Sequence, residues 1–401
     1  MTVERSGVTV GRRLPLFAGV GMPSRGGATH GIRASILAAL IACGCAEEVN
    51  DAPLPLGDSA ADCGGCHEDH FEQFRSSPHA TSARSPIFQA MLPDVERAWG
   101  GAARAQCEGC HAPAHSSDEG IGCLSCHAAV GNHAERDGML AVDPSAPLAG
   151  SLRDAAPSVA HRTRQSDFLT SPSLCGTCHE LTGPALVDEP TLSEYRASPQ
   201  AAGGVTCAGC HMPDDGERPL TNDPDARPRS TRSHRFVGFD PPWGAGPEEA
   251  AAAAERTRAL LASALTLEVV RVEGGVEIAL SNTGAGHAVP TGATFLRDLW
   301  VDVIIDGVTG PRVIVLGDQP MDGEREVALL THAERVERGS LDAGAERRVF
   351  LPAPPSASIT ATLRGRAIRD SVLAALALEA RAGEIPTHEI ASASARSCRE
   401  N

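Results

Sequence analysis

The pattern Cys-x-x-Cys-His occurs five times in the first half of this chain: Cys63-Gly-Gly-Cys66-His67, Cys107-Glu-Gly-Cys110-His111, Cys123-Leu-Ser-Cys126-His127, Cys175-Gly-Thr-Cys178-His179 and Cys207-Ala-Gly-Cys210-His211. Two thiols three positions apart, with a histidine directly after them, form the signature of covalent c-type haem attachment. The thiols reach the two vinyl groups on one porphyrin edge, and the histidine falls beneath the ring centre, where it ligates the iron. A Cys-x-x-Cys pair also serves as half of a zinc site or as a thiol–disulfide motif. Neither use demands histidine at the next position, and here every Cys-x-x-Cys is followed by one. The chain is therefore expected to carry five covalent haem c groups, with His67, His111, His127, His179 and His211 as proximal ligands.

This expectation explains an odd composition. Only one Tyr and three Trp occur in 401 residues, so covalent porphyrins would supply apolar bulk that aromatic side chains provide elsewhere. The formal charge of −16 argues against nucleic acid as a partner, because phosphate binding needs clusters of Lys and Arg. The length suggests two or three domains.

Arg33 precedes an apolar run, Ala34–Ala42, whose length suits a signal-peptide core and falls short of a bilayer span. The run ends Leu40-Ile41-Ala42-Cys43, which resembles the bacterial lipobox. Residues 1–43 are expected to be a signal peptide, with Cys43 lipidated as the mature N-terminus. Ordinary cleavage near Ala46 is the alternative, and Met22 is an alternative start. The expected location is the periplasmic side of a bacterial envelope membrane, as a lipoprotein, or the cell surface. Cys45 and Cys398 stand outside the haem motifs, and an oxidising compartment would allow them to pair.

The expected organisation is multidomain: a mainly α and irregular pentahaem cytochrome c domain, then a small β-sandwich-like domain and a C-terminal helix. Residues 44–60 are polar and read as a tether. Residues 61–240 contain all five motifs, are rich in Gly, Pro, Ser and Asp, and show little hydrophobic periodicity. Residues 241–263 form a linker with strong helix propensity from Pro247 onward. From 264 to 366 the period becomes two: Leu265, Leu267 and Val269, then Gly274-Gly275, then Val276, Ile278 and Leu280 read as a hairpin. Further strands are expected near Phe295–Ile305, Val313–Leu316, Arg347–Leu351 and Ile359–Leu363, as in a sandwich. In residues 367–401, Ile368, Val372 and Leu376 recur at helical spacing, ahead of a frayed tail.

Glu72-Gln-Phe-Arg-Ser-Ser-Pro-His79-Ala and Ser193-Glu-Tyr-Arg-Ala-Ser-Pro-Gln200-Ala form an internal repeat in which only the first copy ends in histidine. The stretch from Cys63 through Phe74-x-x-Ser77-x-His79-Ala80 resembles the signature of multihaem cytochromes like the tetrahaem electron carriers of ammonia oxidation, with Phe74 where Trp is usual. Cys207-x-x-Cys210-His211-Met212-Pro213 followed by His234-Arg-Phe236-Val-Gly238 resembles another haem site of that group. Gly286-His287-Ala-Val-Pro290-Thr291 resembles an element that opens the β-domain of many such proteins. The resemblance covers roughly residues 61–305.

It implies that His79, His161, His234 and His287 are distal axial ligands. His115, four residues past His111, is placed to cap a neighbouring haem, with His133 as the competing candidate. His70 reads as a group beside the site or on the surface, and His332 and His388 as solvated. Methionine ligation would raise the potential, but Met212 directly follows a proximal histidine and cannot cap the same iron, so bis-His, low-potential haems are expected.

Saturated irons favour an electron carrier over an enzyme, with no catalytic residues, redox proteins as partners and the membrane reached through the lipid. The alternative is a reductase or oxidase of a small nitrogen or sulfur compound with one open haem. Multihaem nitrite reductases use a Cys-x-x-Cys-Lys site, which is absent here, and the single tyrosine, Tyr195, reads as packing within the repeat. Gln200, standing where the first copy has a histidine, is the feature that favours an open iron. In a third reading the β-domain is a docking module.

Overall fold

Each Cys-x-x-Cys-His stretch closes a helical turn. The His67 amide donates to the Cys63 carbonyl at 2.8 Å, and that of His179 to Cys175 at 2.9 Å. Such a turn sets residues i and i+3 side by side on one face, so both thiols point the same way and the histidine follows directly. The computed structural model describes residues 57, 59–113, 119–132, 140–155, 158 and 160–395. The expected signal peptide, Cys43, Cys45, Cys398, His115 and His133 lie outside the described residues, as does nearly all of the expected tether.

The first half consists of short helices: α1 Ala60–Gly64, α2 Glu68–Arg75, α3 Pro78–Thr81, α4 Pro86–Trp99, α5 Gly101–His111, α6 Cys123–His127, α7 Asp167–Thr170, α8 Pro172–Gly176, α9 Thr191–Arg196, α10 Pro199–Ala202 and α11 Cys207–His211. Two-stranded ribbons fill the intervals: β1 Ala129–Asn132 with β2 Leu140–Val142, β3 Leu148–Gly150 with β4 Thr163–Gln165, β5 Leu181–Thr182 with β6 Asp188–Glu189, and β7 Asp214–Arg218 with β8 Arg229–Arg232. Local sequence explains the starts. Ser59 and Asp62 form a capping box on α1. Ser77 and Ser198 cap α3 and α10, each followed by proline at the first helical position. The apolar cluster belonging to these elements is small, with Phe74 buried between Ala60 and Ala80.

Helix α12, Pro247–Ala264, starts on proline and two glutamates, where the helix dipole favours negative charge. It runs into β9, Leu265–Val272, which pairs antiparallel with β10, Gly275–Asn282, around the expected turn. A three-stranded sheet follows the order β16–β10–β9, with β16 at Glu346–Pro352. The facing sheet has four antiparallel strands in the order β12–β11–β17–β18: β11 Asp298–Ile305, β12 Val308–Leu316, β17 Ile359–Arg366 and β18 Thr387–Ala395. Alternate residues point inward, so Val276, Ile278 and Leu280 meet Leu299, Val301, Val303, Ile359, Ala361 and Leu363 in one apolar core.

A second core joins the two halves. Ile87 on α4 is buried with Phe295, Leu296, Leu329, Ile368, Val372 and Leu373, and Trp99 packs against the same cluster. Nearby, Arg297, 8% exposed, holds Asp240 with both guanidinium nitrogens at 2.6 and 2.9 Å. The described residues from 57 to 395 thus belong to one unit, and the boundaries expected at 240 and 264 fall within it.

Two sequence expectations are corrected. The closing helix is only six residues long, α13 Asp370–Ala375, and the supposed tail is β18, the edge strand of the larger sheet. His388, expected in solvent, lies on that strand, 7% exposed and beside Phe239. A short sheet formed by β13 Gln319–Asp322, β14 Arg325–Glu326 and β15 Arg335–Glu337 has no counterpart among the strands expected from the sequence. Among the described residues no helix is long and apolar enough to cross a membrane. Leu363 is fully buried at the centre of the sandwich, so Leu363→Ala is expected to lower the unfolding free energy by about 2–5 kcal/mol, as measured by thermal or denaturant unfolding.

Candidate functional site

The five proximal candidates share one arrangement: the ring Nδ1 is engaged, which leaves Nε2 for the cavity. His67 bonds the Leu220 carbonyl at 2.7 Å, His127 that of Ala149 at 2.7 Å, His211 that of Val237 at 2.7 Å, and His111 that of Ser82 at 3.2 Å. His179 instead bonds the Glu189 carboxylate at 2.7 Å. Such a partner on the far nitrogen fixes ring orientation and tautomer. Burial opposes protonation of His179, but the carboxylate outweighs it and raises the histidine to about 9.

Three of the expected distal histidines face proximal ones. The rings of His67 and His161 have centroids 6.2 Å apart, those of His127 and His234 6.3 Å, and those of His211 and His287 6.2 Å. Each pair joins segments far apart in sequence. His161 comes from the stretch just before β4, His234 from just after β8, and His287 from the turn after β10. The Nδ1 atoms of His234 and His287 bond main-chain oxygens at 2.9 Å, those of Arg232 and Ala288 respectively.

His79 stands against Phe236, ring centroids 4.3 Å apart, and its Nδ1 is buried with no hydrogen-bond partner. Burial holds this imidazole neutral, down to about 3, and His179 is the strongest charged influence on it. His111 is covered on its ring face by Phe88, parallel at 4.0 Å. The expected partners for that haem, His115 and His133, lie outside the described residues. His70 is edge-on to both His67 and His234, with ring centroids 6.3 and 4.6 Å away, so it lies between two sites. His332 is exposed.

Thiols of different motifs meet. Cys63 is hydrogen-bonded to Cys123, Cys110 to Cys178, and Cys175 to Cys207. Cys126, which burial pushes up to about 11, lies within electrostatic reach of Cys175 and Cys178. The fourth motif is thus adjacent to the second, third and fifth, and the third to the first. Among the described residues no group of three or more His, Cys, Asp or Glu is arranged to hold a bare metal ion, which leaves the cysteine pairs without the further ligands of a four-coordinate zinc site.

Gln200 has its amide nitrogen 3.3 Å from the Thr283 carbonyl. Its Cβ, the Ser198 hydroxyl and the Tyr195 ring crowd Gly286, next to His287, where an added Cβ would meet all three at 3.2 Å. Tyr195 also donates to the Val205 carbonyl at 3.0 Å. Gln200 and Tyr195 therefore brace the turn that presents His287. The sequence reading missed Glu189; its only sequence signal was a carboxylate ten residues beyond a proximal histidine.

Residues 62–128 match the family model described as cytochrome c554 and c-prime. No curated protein matches the sequence. The fold is similar to the crystal structure of a penta-heme cytochrome c552 from Thermochromatium tepidum, with a TM-score of 0.61 and 18% identity over 84% of this chain and 98% of that one. The five motifs, the matched segment and the shared fold together support a multihaem c-type cytochrome with covalently bound haem.

Proposed function

We propose that the chain is a pentahaem c-type cytochrome that relays electrons through bis-His haems while tethered to a bacterial envelope membrane by a lipid on Cys43. The observation that carries the reading is the repeated 6.2–6.3 Å separation of histidine rings. Imidazole nitrogens bind a metal at about 2.0–2.1 Å; two of them on opposite sides of one iron place their ring centroids roughly 6.3 Å apart. Rings in mutual contact would lie closer; His67 and His70, also 6.3 Å apart, are set edge-on at 78°, whereas the three facing pairs are inclined by only 14° to 34°.

The residues present fit haem c. Each motif offers two thiols on one face of a turn and a histidine whose far nitrogen is already engaged. On this reading His161 opposes His67, His234 opposes His127, and His287 opposes His211. His79, buried with an unmade hydrogen bond that would be costly in an empty pocket, is assigned opposite His179. His115 is assigned to the haem of His111, with His133 as the competing residue. Bound haem supplies a one-electron ferric–ferrous couple, whose potential the axial ligands and their hydrogen bonds set.

The chain's own contribution is spacing. The Cys63–Cys123, Cys110–Cys178 and Cys175–Cys207 contacts, together with the nearness of Cys126 to Cys175 and Cys178, set the attachment edges in the order first, third, fourth, with the second and fifth branching from the fourth. The position of Gln200 supports the carrier reading over the enzyme reading. The second copy of the repeat lacks a histidine, but its glutamine braces the turn bearing His287, which faces His211. The partners proposed are other redox proteins.

Mass spectrometry of the mature exported protein is expected to show five added haems and a lipid on Cys43; a haem count of three or four refutes the motif count, and an unmodified Cys43 refutes the anchor. Replacing His161, His234 or His287 with Ala is expected to convert one haem, and only one, from low to high spin in low-temperature EPR with all five haems still attached. A spectrum that stays fully low-spin removes that residue from the ligand set. In the unmodified oxidised protein, a high-spin iron that responds to nitrite or cyanide would favour the reductase reading.

A further inference from the structure

Four of the five proximal histidines pass their Nδ1 proton toward a neutral main-chain carbonyl, those of Leu220, Ser82, Ala149 and Val237. His179 alone passes it to a carboxylate, Glu189 Oε1, at 2.7 Å. The carboxylate is placed by structure. Glu189 ends β6, pairs with Leu181 on β5, and is 19% exposed in its side chain. Its Oε1 lies beside Gly292, a residue with φ of 74° at which an added Cβ would sit 3.6 Å away. Arg297, whose charge also faces Glu189, is matched by the bidentate Asp240; the Glu189 charge is also felt at His111 and His287, but its hydrogen bond to a histidine is made to His179.

A carboxylate on the far nitrogen raises the basicity of a metal-bound imidazole. A more electron-rich ligand stabilises the ferric over the ferrous state, and hydrogen bonding to the axial ligand is one of the levers by which a protein sets a haem potential. His179 belongs to the fourth motif, whose cysteines contact those of the second and fifth motifs and lie near Cys126 of the third.

We infer that Glu189 is the potential-setting residue of this chain: acting through His179, it makes the haem on Cys175 and Cys178 the lowest-potential group of the five, at the junction of the branches. With haem bound there, the junction would be the group least favoured to hold an electron. This rests on haem being attached at the fourth motif, so haem content and the modification of Cys175 and Cys178 are established first by mass spectrometry. Absence of haem there refutes the cytochrome reading upstream of any statement about Glu189.

The test is a spectroelectrochemical titration of the five-haem protein and of Glu189→Gln, which keeps the size and the hydrogen bond but removes the charge. One component is expected to rise by at least a tenfold change in its ferric–ferrous equilibrium, 59 mV for one electron, with the other four moving by less than that step. Glu189→Asp, which keeps the charge, is expected to fall between the two. Unchanged components, all five moving together, or equal shifts in both variants overturn the inference. Should the variants fail to load five haems, the unmodified protein decides. One component must titrate at least that tenfold step below the rest, and five components clustered within one step overturn the assignment.

Discussion

Pairs of imidazole rings held 6.2–6.3 Å apart are the constraint around which the rest of this structure is arranged. At that separation the rings gain nothing from each other: they are too far apart for contact, and burial of a neutral imidazole costs solvation. Each pair also joins segments distant in sequence, so the chain bears the entropy of closing long loops. On the proposed reading a covalently held group fills every such gap and repays both costs. The same reading accounts for the weak apolar core of the first half, where the cluster around Phe74 is slight beside the sandwich core, and for helices that mostly end after one or two turns.

The β-half is part of that arrangement. Its core would stand as a sandwich on its own residues, yet it presents His287 from the turn after β10 and is fastened to the haem half by Ile87 and by the Arg297–Asp240 pair. The turn depends on glycine. A Cβ on Gly284 would lie 2.0 Å from the Ser263 carbonyl, and one on Gly286 would press on Gln200, Ser198 and Tyr195. The chain that leaves β10 therefore has one route, and that route delivers the histidine ring beside His211.

How much of this was legible in the sequence varies with the range of the interaction. The Cys-x-x-Cys-His turns, the capped short helices after Ser77 and Ser198, and the hairpin around Gly274-Gly275 are local, and local sequence specifies them. His161, His234 and His287 were recognisable as ligand candidates, but which ring each would face was not, because that depends on how separate segments meet. Strand β18 went unread because Ile390 and Ala391 stand side by side and break the alternation, at the point where the pairing with β17 shifts register. The buried place of His388 follows from the same strand. Glu189 carries no motif at all; a two-residue strand brings it to His179, and nothing in its neighbours announces that.

The internal repeat shows how local shape and ligand supply come apart. Ser77 and Ser198 cap their helices with nearly the same backbone angles, φ −83° and ψ 158° against φ −86° and ψ 157°, and each accepts from the amide three residues on. The two copies are therefore the same piece of structure, and the change from His79 to Gln200 does not disturb it. What differs is the surroundings. His79 is buried against Phe236, whereas Gln200 lies against the turn from the β-half that carries His287. The glutamine at 200 reaches the Thr283 carbonyl and steadies the turn that carries His287. The β-half thus gives the second copy a different neighbour, and the residue at its end serves that neighbour as a brace.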